Sequence, residues 1–364
     1  MVYIRSIANI SPQPTFGQPL AEALFAAPAP PDGDRMRAIE PDYSRYVDPK
    51  MIRRMSRVIR MGVAAAMECL RNAGGAGEPA HSVAGGAGQP AGTVDNLADG
   101  PQGRATGGLA TDAILIGTAY GCLEDTGVFL RRMIENKEEM LTPTAFIQST
   151  HNTVGAQIAL LLKNHGYNNT YVHRGWSFES ALLDGIMYIA EHEGRKVLVG
   201  GVDEITDASH AILSRFGLYR DGTVDGEGAA FFLLSDEAGP ENLARLDGVT
   251  TFYKPKNAEE IQENVVSFLS SYNLDINKID LVISGGSIDF PKVLHYKALS
   301  GEYPTASAYA LWMGAAVLAT GLVPEGVGAA GGMAASPPAT RPRRVLVYNQ
   351  HQQTHHSLFL LSAC

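Results

Sequence analysis

Residues capable of nucleophilic and acid–base chemistry cluster around one short segment, 174–177, with the sequence RGWS. Ser177 opens an apolar helical pattern, and His173 and His151 precede it, so an imidazole-activated serine hydroxyl is one chemistry that these residues allow. Serine is also a preferred N-cap residue, because its side-chain oxygen accepts a hydrogen bond from a backbone N–H of the first helical turn. We therefore predict that Ser177 caps the helix, and we keep a nucleophilic Ser177 as the alternative.

Three histidines lie close together near the C-terminus, at His351, His355 and His356. Histidine is a common metal ligand, but residues adjacent in a strand point to opposite faces, so His355 and His356 would not share a site. We expect no bound metal here and predict hydrogen bonds within a hairpin instead. Four residues are candidates for lining a substrate pocket: His151, His173, Ser177 and His351.

The cysteines Cys69, Cys122 and Cys364 are far apart and form no Cys-X-X-Cys pair, so we expect reduced thiols rather than a metal or redox site. Cys122 follows a strand pattern and precedes a helix pattern, a position at which a thiol pKa can be lowered. We predict packing of a small side chain at that turn instead. Asp225 and Glu227 flank glycines in an acidic turn, where we expect a solvated or backbone-bonding role for both.

Apolar residues along the chain alternate between strand and helix periodicity after a first strand and a helix over 51–73. Alternation of this kind is typical of parallel sheets that are covered by helices on both faces. The pattern alone therefore predicts the α/β class. The later predicted strands are 113–120, 170–173, 197–202, 229–234, 281–284 and 345–348, and the helices are 124–136, 154–164, 177–193, 258–272 and 306–320.

Two tracts rich in Gly, Ala and Pro interrupt this alternation. Residues 74–110 and 323–342 offer few large apolar side chains, so they bury too little surface to offset the entropy of ordering. We expect a flexible insertion at 74–110 and a loop at 323–342. The chain then divides into an N-terminal half, 1–238, and a C-terminal half, 239–364.

The composition is that of a globular protein, with 364 residues of which 45% are hydrophobic and 18% are charged. The formal net charge of -9 disfavours a nucleic-acid partner. The N-terminal residues have no apolar run of signal-peptide length, and no segment reaches the length of a membrane span. We therefore expect a cytoplasmic protein that binds no cofactor.

Four parts of the sequence together resemble the β-ketoacyl synthase condensing enzymes. The part around the acidic glycine turn is the most specific, because a charged loop, that turn and a buried strand follow one another. The resemblance implies a thiolase-like α/β fold, in which two stacked βαβαβ halves give five layers, αβαβα. The segments are 53–74, 152–202 (which contains YVHRGWSFESALLDG), 216–236 (FGLYRDGTVDGEGAAFFLLSD) and the C-terminal pair 281–289 (LVISGGSID) and 296–316 (YKALSGEYPTASAYALWMGAA).

The same resemblance implies where the catalytic residues of such an enzyme would lie. These enzymes use a cysteine thiolate at a helix N-terminus and two imidazoles that assist malonyl decarboxylation. Loop matching puts the cysteine position at Trp176, or at Gly175 if one gap is placed differently. The two histidine positions fall at Gly285 and Glu302, and only the lysine is retained, at Lys297. Trp176 is expected either to plug the former cysteine pocket or to pack in the core.

Within this superfamily, subunits without the nucleophile are chain-length factors, which pair with an active ketosynthase. The short chain, the elbow sequence and the histidine hairpin resemble ketosynthase-like proteins of bacterial aryl-polyene and flexirubin clusters. The resemblance implies a non-catalytic partner of an active 3-oxoacyl-ACP synthase in polyene or fatty-acid-type synthesis, with acyl carrier protein (ACP) as a second partner.

The resemblance also implies a dimer, formed with that ketosynthase or with a second copy through the strand 170–173. Two alternatives remain open at this point. One is an active 3-oxoacyl-ACP synthase, or another acyl-thioester enzyme, with a rearranged site. The other is a purely structural homodimer.

Overall fold

The computed structural model of the chain describes residues 1–74, 111–141, 143–219, 222–327, 333–336 and 341–364. The insertion predicted for 74–110 therefore lies outside the described residues, apart from Gly74. No helix in the described part of the chain combines the length and the apolar character needed to cross a bilayer.

Strands and helices alternate through the N-terminal half. Its strands are β1 (Val2–Ile10), β2 (Arg35–Met36), β3 (Ala113–Gly117), β4 (Tyr167–Tyr171), β5 (Lys196–Asp203), β6 (Asp225–Gly226) and β7 (Gly228–Ser235). Its helices are α1 (Leu20–Phe25), α2 (Pro49–Ile52), α3 (Arg57–Ala73), α4 (Leu123–Glu135), α5 (Pro143–Gln148), α6 (Thr153–Leu162), α7 (Ser177–Glu191) and α8 (Asp207–Arg215).

The C-terminal half repeats this organisation with fewer helices. Its strands are β8 (Ala244–Tyr253), β9 (Leu281–Ser284), β10 (Val293–His295), β11 (Val323–Val327), β12 (Met333–Ser336), β13 (Arg344–His351) and β14 (His355–Ser362). Its helices are α9 (Ala258–Ser270), α10 (Lys297–Ser300) and α11 (Ala306–Thr320).

The main sheet has the strand order β10-β9-β13-β14-β8-β1-β7-β5-β3-β4, and the two halves of this order are related. In the N-terminal half β3 pairs in parallel with β4 and β5, and β7 then pairs antiparallel with β5 and β1. In the C-terminal half β9 pairs in parallel with β10 and β13, and β14 then pairs antiparallel with β13 and β8. The halves join through a short antiparallel contact of β1 with β8.

Helices cover both faces of each half-sheet and give the five layers. α3 packs on β1, β5 and β7, whereas α7 packs on β3 and β5, and α11 contacts strands of both halves. On the far side, α9 shares a core cluster with β9, β13 and β14. Every residue of α11 from Ala306 to Leu318 is buried, as expected for a helix that is apolar all round. The predicted thiolase-like fold class is therefore confirmed.

Three predicted elements differ from those observed. The helix predicted over 51–73 is two helices, because the chain is extended at Ser56, which precedes α3. The strand predicted at 170–173 begins and ends earlier, as β4, because the Asn168 side chain donates to the Gly155 carbonyl (3.0 Å) and lets a polar segment pair with β3. In the tract predicted as a loop, 323–342, β11 and β12 pair antiparallel, since backbone hydrogen bonds form without large side chains.

Candidate functional site

The elbow between β4 and α7 is a strained turn held by one serine. A 3₁₀ helix, Arg174–Trp176, leads directly into α7, and Arg174 has a left-handed backbone with φ of 52°. The Ser177 hydroxyl accepts from the His173 N–H (2.9 Å) and donates to the Arg174 carbonyl (2.8 Å). Ser177 therefore bonds backward into the turn, and the prediction that it is the N-cap of α7 is wrong, because Trp176 is the residue before the helix.

The space beside Gly175 is filled by an imidazole from the other half of the chain. A Cβ atom built on Gly175 would lie 2.7 Å from His351 Cδ2 and 2.9 Å from His351 Cβ. Both residues are buried. A larger side chain at position 175 therefore requires His351 to move.

A chain of polar contacts fixes His351 in this position. Its Nδ1 lies 2.6 Å from Glu302 Oε1. The Lys297 ammonium donates to the other Glu302 oxygen and to the Gln350 carbonyl. Burial alone would raise the pKa of the Glu302 carboxyl, but Lys297 and His351 outweigh burial and hold that pKa below its usual value. Glu302 is thus a carboxylate whose charge is balanced inside the site.

Gly285 lies on the Lys297 side of the same cluster. A Cβ atom there would be 2.7 Å from the Tyr296 hydroxyl and 2.8 Å from Lys297 Cε. The Tyr296 hydroxyl donates to Asn349 Oδ1 (2.6 Å), next to the strand that carries His351. The structure therefore brings together four positions predicted from the sequence, namely Gly175, Gly285, Lys297 and Glu302, and adds His351 to them.

Trp176 packs in an aromatic cluster next to this site. Its indole N–H donates to the His356 carbonyl (3.1 Å), and its ring contacts His355 edge-on with the ring centroids 4.8 Å apart. Tyr253 also packs against it, at 5.7 Å. Of the two positions matched to the nucleophile, Gly175 is the one that faces His351, while Trp176 packs against β14.

The other candidate residues take part in local contacts. His173 is exposed and its Nδ1 lies 3.2 Å from Ser180 Oγ, and exposed His151 lies against Gly121. His355 Nδ1 bonds Thr354 Oγ1 (2.8 Å), and His356 Nδ1 bonds the Tyr348 hydroxyl (2.9 Å). These contacts are hydrogen bonds in and beside the hairpin. Among the described residues, no group of three or more His, Cys, Asp or Glu is arranged to hold a metal ion.

A small acidic cavity adjoins His351 and Glu302. Its volume is about 30 Å³, and its lining includes Asp203, Glu204 and Asp225. Burial raises the pKa of Asp203 to about 6 and that of Glu204 to about 8. Sequence reasoning did not select Asp203 and Glu204, although their position at the carboxyl end of a buried strand was a usable signal.

One further cluster near this cavity was also missed. His210 bridges two carboxylates, with Nδ1 2.8 Å from Asp225 and Nε2 3.1 Å from Asp34. The Tyr219 ring stacks on the His210 ring at 4.9 Å. These residues come from separated segments of the chain, so their spacing in sequence gave no signal. Asp225 has a side-chain partner as well as the backbone role expected for its turn.

Comparisons with solved structures place the whole chain in one fold. The ishigamide ketosynthase/chain length factor matches with a TM-score of 0.73 and 17% identity, covering 100% of this chain and 99% of that chain. A β-ketoacyl synthase from Burkholderia phymatum STM815 matches with a TM-score of 0.72 and 16% identity, again covering 100% and 99%. The ketosynthase in the AntDE:AntF complex with a type II polyketide acyl-carrier protein matches with a TM-score of 0.70 and 12% identity, covering 100% and 99%.

The chain has the ketosynthase fold. No protein-family model matches the sequence. A search of curated proteins also finds no match. In this ketosynthase fold the elbow, the loop after β9 and the hairpin between β13 and β14 meet, and here they bring His351 to Gly175.

Gly175→Ala tests the contact with His351. We expect the added methyl to lower the free energy of unfolding by about 1–3 kcal/mol, the usual cost of overpacking. Gly127→Ala is the matched control, because a Cβ at Gly127 meets nothing within 4 Å. In a His351→Ala background the Gly175→Ala change should cost much less. Equal costs in both backgrounds, from chemical denaturation, would contradict the contact.

Glu179 gives a pH-dependent test of the buried frame behind the elbow. Burial raises the pKa of this carboxyl, and the Ser357 hydroxyl, 2.7 Å away, offsets the rise only in part. Since the folded pKa is raised, the contribution of Glu179 to stability is full below its unfolded pKa and is lost as the pH rises through the folded pKa.

Glu179→Gln should therefore increase stability by about 1–3 kcal/mol at high pH, with little gain near pH 4. Exposed Glu191, in the same helix, is the control as Glu191→Gln. Denaturant unfolding at several pH values measures both variants. A gain for Glu179→Gln that is the same at every pH would show that the buried carboxyl is not the source of the pH dependence.

Proposed function

We propose that this protein is a partner subunit of an active 3-oxoacyl-ACP synthase, acting as a chain-length factor acts, without catalysing condensation itself. The observation that carries the proposal is the filling of the nucleophile position: Gly175 has no functional side chain, and His351 occupies the adjoining space. A Claisen condensation by the usual route needs a thiolate there. The ketosynthase fold over the full chain supports a role within the same kind of assembly.

The electrostatics of the site also oppose condensation. Decarboxylation of a malonyl thioester generates an enolate, which ketosynthases stabilise with imidazoles. Gly285 and Glu302 stand at the two positions matched to those imidazoles. The Glu302 carboxylate, whose pKa is held low by Lys297 and His351 after the opposing effect of burial, would repel an enolate.

The partners proposed for this subunit are an active ketosynthase and an acyl carrier protein. One structural neighbour is a ketosynthase in complex with its acyl-carrier protein, and another is a ketosynthase/chain length factor, which supports this choice. The histidine hairpin and elbow sequence favour a polyene or fatty-acid-type product, of the aryl-polyene or flexirubin kind. Such synthesis would place the subunit in the cytoplasm.

Dimerisation is proposed to occur through β4, which ends the main sheet. In the described residues β4 pairs with β3 on one side only, and an edge of this kind is a template for pairing with another chain. Apolar side chains are exposed on β4 and on helices α6 and α7 beside it. They are Leu160, Tyr167, Val172, Leu183 and Met187.

Val172→Glu tests the pairing at this edge. Val172 is 47% exposed, so the monomer tolerates a charge there, whereas the pairing would bury an unpaired carboxylate. We expect the wild type to be a dimer by size-exclusion chromatography with light scattering, alone or with a co-expressed ketosynthase. Val172→Glu should be monomeric and should fail to co-purify with the ketosynthase.

Val266→Glu is the matched control, because Val266 is 49% exposed on α9, in the other half of the chain. It should dimerise and co-purify like the wild type. A well-behaved wild-type monomer, with and without the ketosynthase, would contradict the proposed function. So would a Val172→Glu variant that still co-purifies.

A further inference from the structure

His351 and Glu302 have the geometry of a carboxylate–imidazole dyad. The 2.6 Å contact joins Glu302 Oε1 to His351 Nδ1. A carboxylate accepts a hydrogen bond, so this contact puts a proton on Nδ1 and leaves the lone pair on Nε2. Nε2 is next to Cδ2, the atom nearest to a Cβ built on Gly175. The basic nitrogen of the dyad therefore lies beside the elbow.

The cavity next to this dyad has room for water. At about 30 Å³ it accommodates one or two water molecules, which need about 10–15 Å³ each. His351, Glu302, Tyr120 and Tyr219 all contribute to its lining. Polar groups of this kind supply the hydrogen bonds that a buried water requires. A water in the cavity is thus within reach of a histidine that a carboxylate orients.

An apolar surface leads to the same cavity. Leu213 and Leu218 line the cavity, and Ile212 and Phe216, in the same stretch of chain, are 53% and 76% exposed. Exposed apolar side chains next to a reactive group suit an acyl chain, while the polar cavity suits its carbonyl end. The substrate class that fits both features is an acyl thioester.

We propose that His351 acts as a general base that activates water to hydrolyse acyl thioesters, with Glu302 as its positioning residue. Nε2 takes a proton from water as the water oxygen forms a bond to the carbonyl carbon. The tetrahedral oxyanion accepts a hydrogen bond from the Tyr120 hydroxyl. Its collapse breaks the C–S bond, and the imidazolium returns the proton to the thiolate.

The reaction consumes one water and yields a carboxylic acid and a thiol, so no other reactant is required. Burial raises the pKa of Tyr120 to about 12, which keeps its hydroxyl protonated and able to donate. No covalent acyl-enzyme forms, in keeping with the Ser177 hydroxyl being engaged in the turn. Beside an active ketosynthase, this activity would release acyl chains that have stopped growing.

Release of octanoate tests this activity. Octanoyl-coenzyme A and octanoyl-ACP are each incubated with the full-length protein in ¹⁸O-labelled water, and octanoate is quantified by mass spectrometry. We expect release above the buffer rate with one ¹⁸O per octanoate. Faster release from octanoyl-ACP identifies the carrier protein as the source, and equal rates identify the shared phosphopantetheine thioester.

His351→Gln should lower the rate by about 100-fold or more, as expected when a general base is removed. Glu302→Gln should lower kcat with little change in KM, and Tyr120→Phe, which keeps the ring, should lower the rate about tenfold or more. Exposed His192, as His192→Gln, is the control and should keep the wild-type rate.

Circular dichroism and melting temperature check that each variant is folded. If Glu302→Gln fails to fold, His351→Gln and Tyr120→Phe still decide the question. Release no faster than in buffer, or a folded His351→Gln protein at the wild-type rate, would overturn the hydrolytic role. Neither result affects the proposed pairing with a ketosynthase, which light scattering tests separately.

Discussion

The Glu302 carboxylate is the contact on which the rest of the site depends. Its side chain joins Lys297 to His351, and its backbone pairs with β6, through the Gly226 N–H to the Glu302 carbonyl (2.9 Å) and the Glu302 N–H to the Val224 carbonyl (2.8 Å). One residue thus links the two halves of the chain at the site. Removing one member of a buried charged cluster usually costs about 3–5 kcal/mol, because the remaining charge is left without a partner.

The position of His351 follows from this contact and determines the chemistry. The hairpin between β13 and β14 is tight, with left-handed backbone at Gln352 (φ 51°) and Gln353 (φ 53°). It holds the imidazole against Gly175, where a condensing enzyme would carry its thiolate. The ketosynthase fold is retained, while the group that would attack an acyl thioester is replaced by one that can only act on a proton.

Part of this arrangement could be predicted from the sequence because it depends on local patterns. The bounds of α11 were predicted at 306–320 and observed at Ala306–Thr320, since a continuous apolar run starts after Thr305 and stops at Gly321. Loop matching also placed Gly285, Lys297 and Glu302 in one site, because parallel strands end at the same edge of a sheet. The lower bound of β4 was missed, since its asparagines have a low strand propensity and the neighbouring strand decides the outcome.

The remaining features depend on contacts between distant segments. Neither the filling of the space at Gly175 by His351 nor the bridging of Asp34 and Asp225 by His210 leaves a spacing signal in the sequence. The choice between Gly175 and Trp176 as the nucleophile position needed side-chain directions, which only the folded chain supplies. The cavity carboxyls, Asp203 and Glu204, acquire their raised pKa values from burial, and burial is a property of the packed layers.

Intact-protein mass spectrometry tests the central claim, that the elbow carries no acyl-accepting nucleophile. The wild type is incubated with octanoyl-ACP and malonyl-ACP, with an active ketosynthase treated in parallel as the positive control. The account predicts no octanoyl adduct on this protein and no 3-oxodecanoyl product, while the ketosynthase gives both. Trp176→Cys should not restore condensation, because the two imidazole positions stay occupied by Gly285 and Glu302. A stable octanoyl adduct on residues 174–177 of the wild type, or condensation by the wild type alone, would contradict the account.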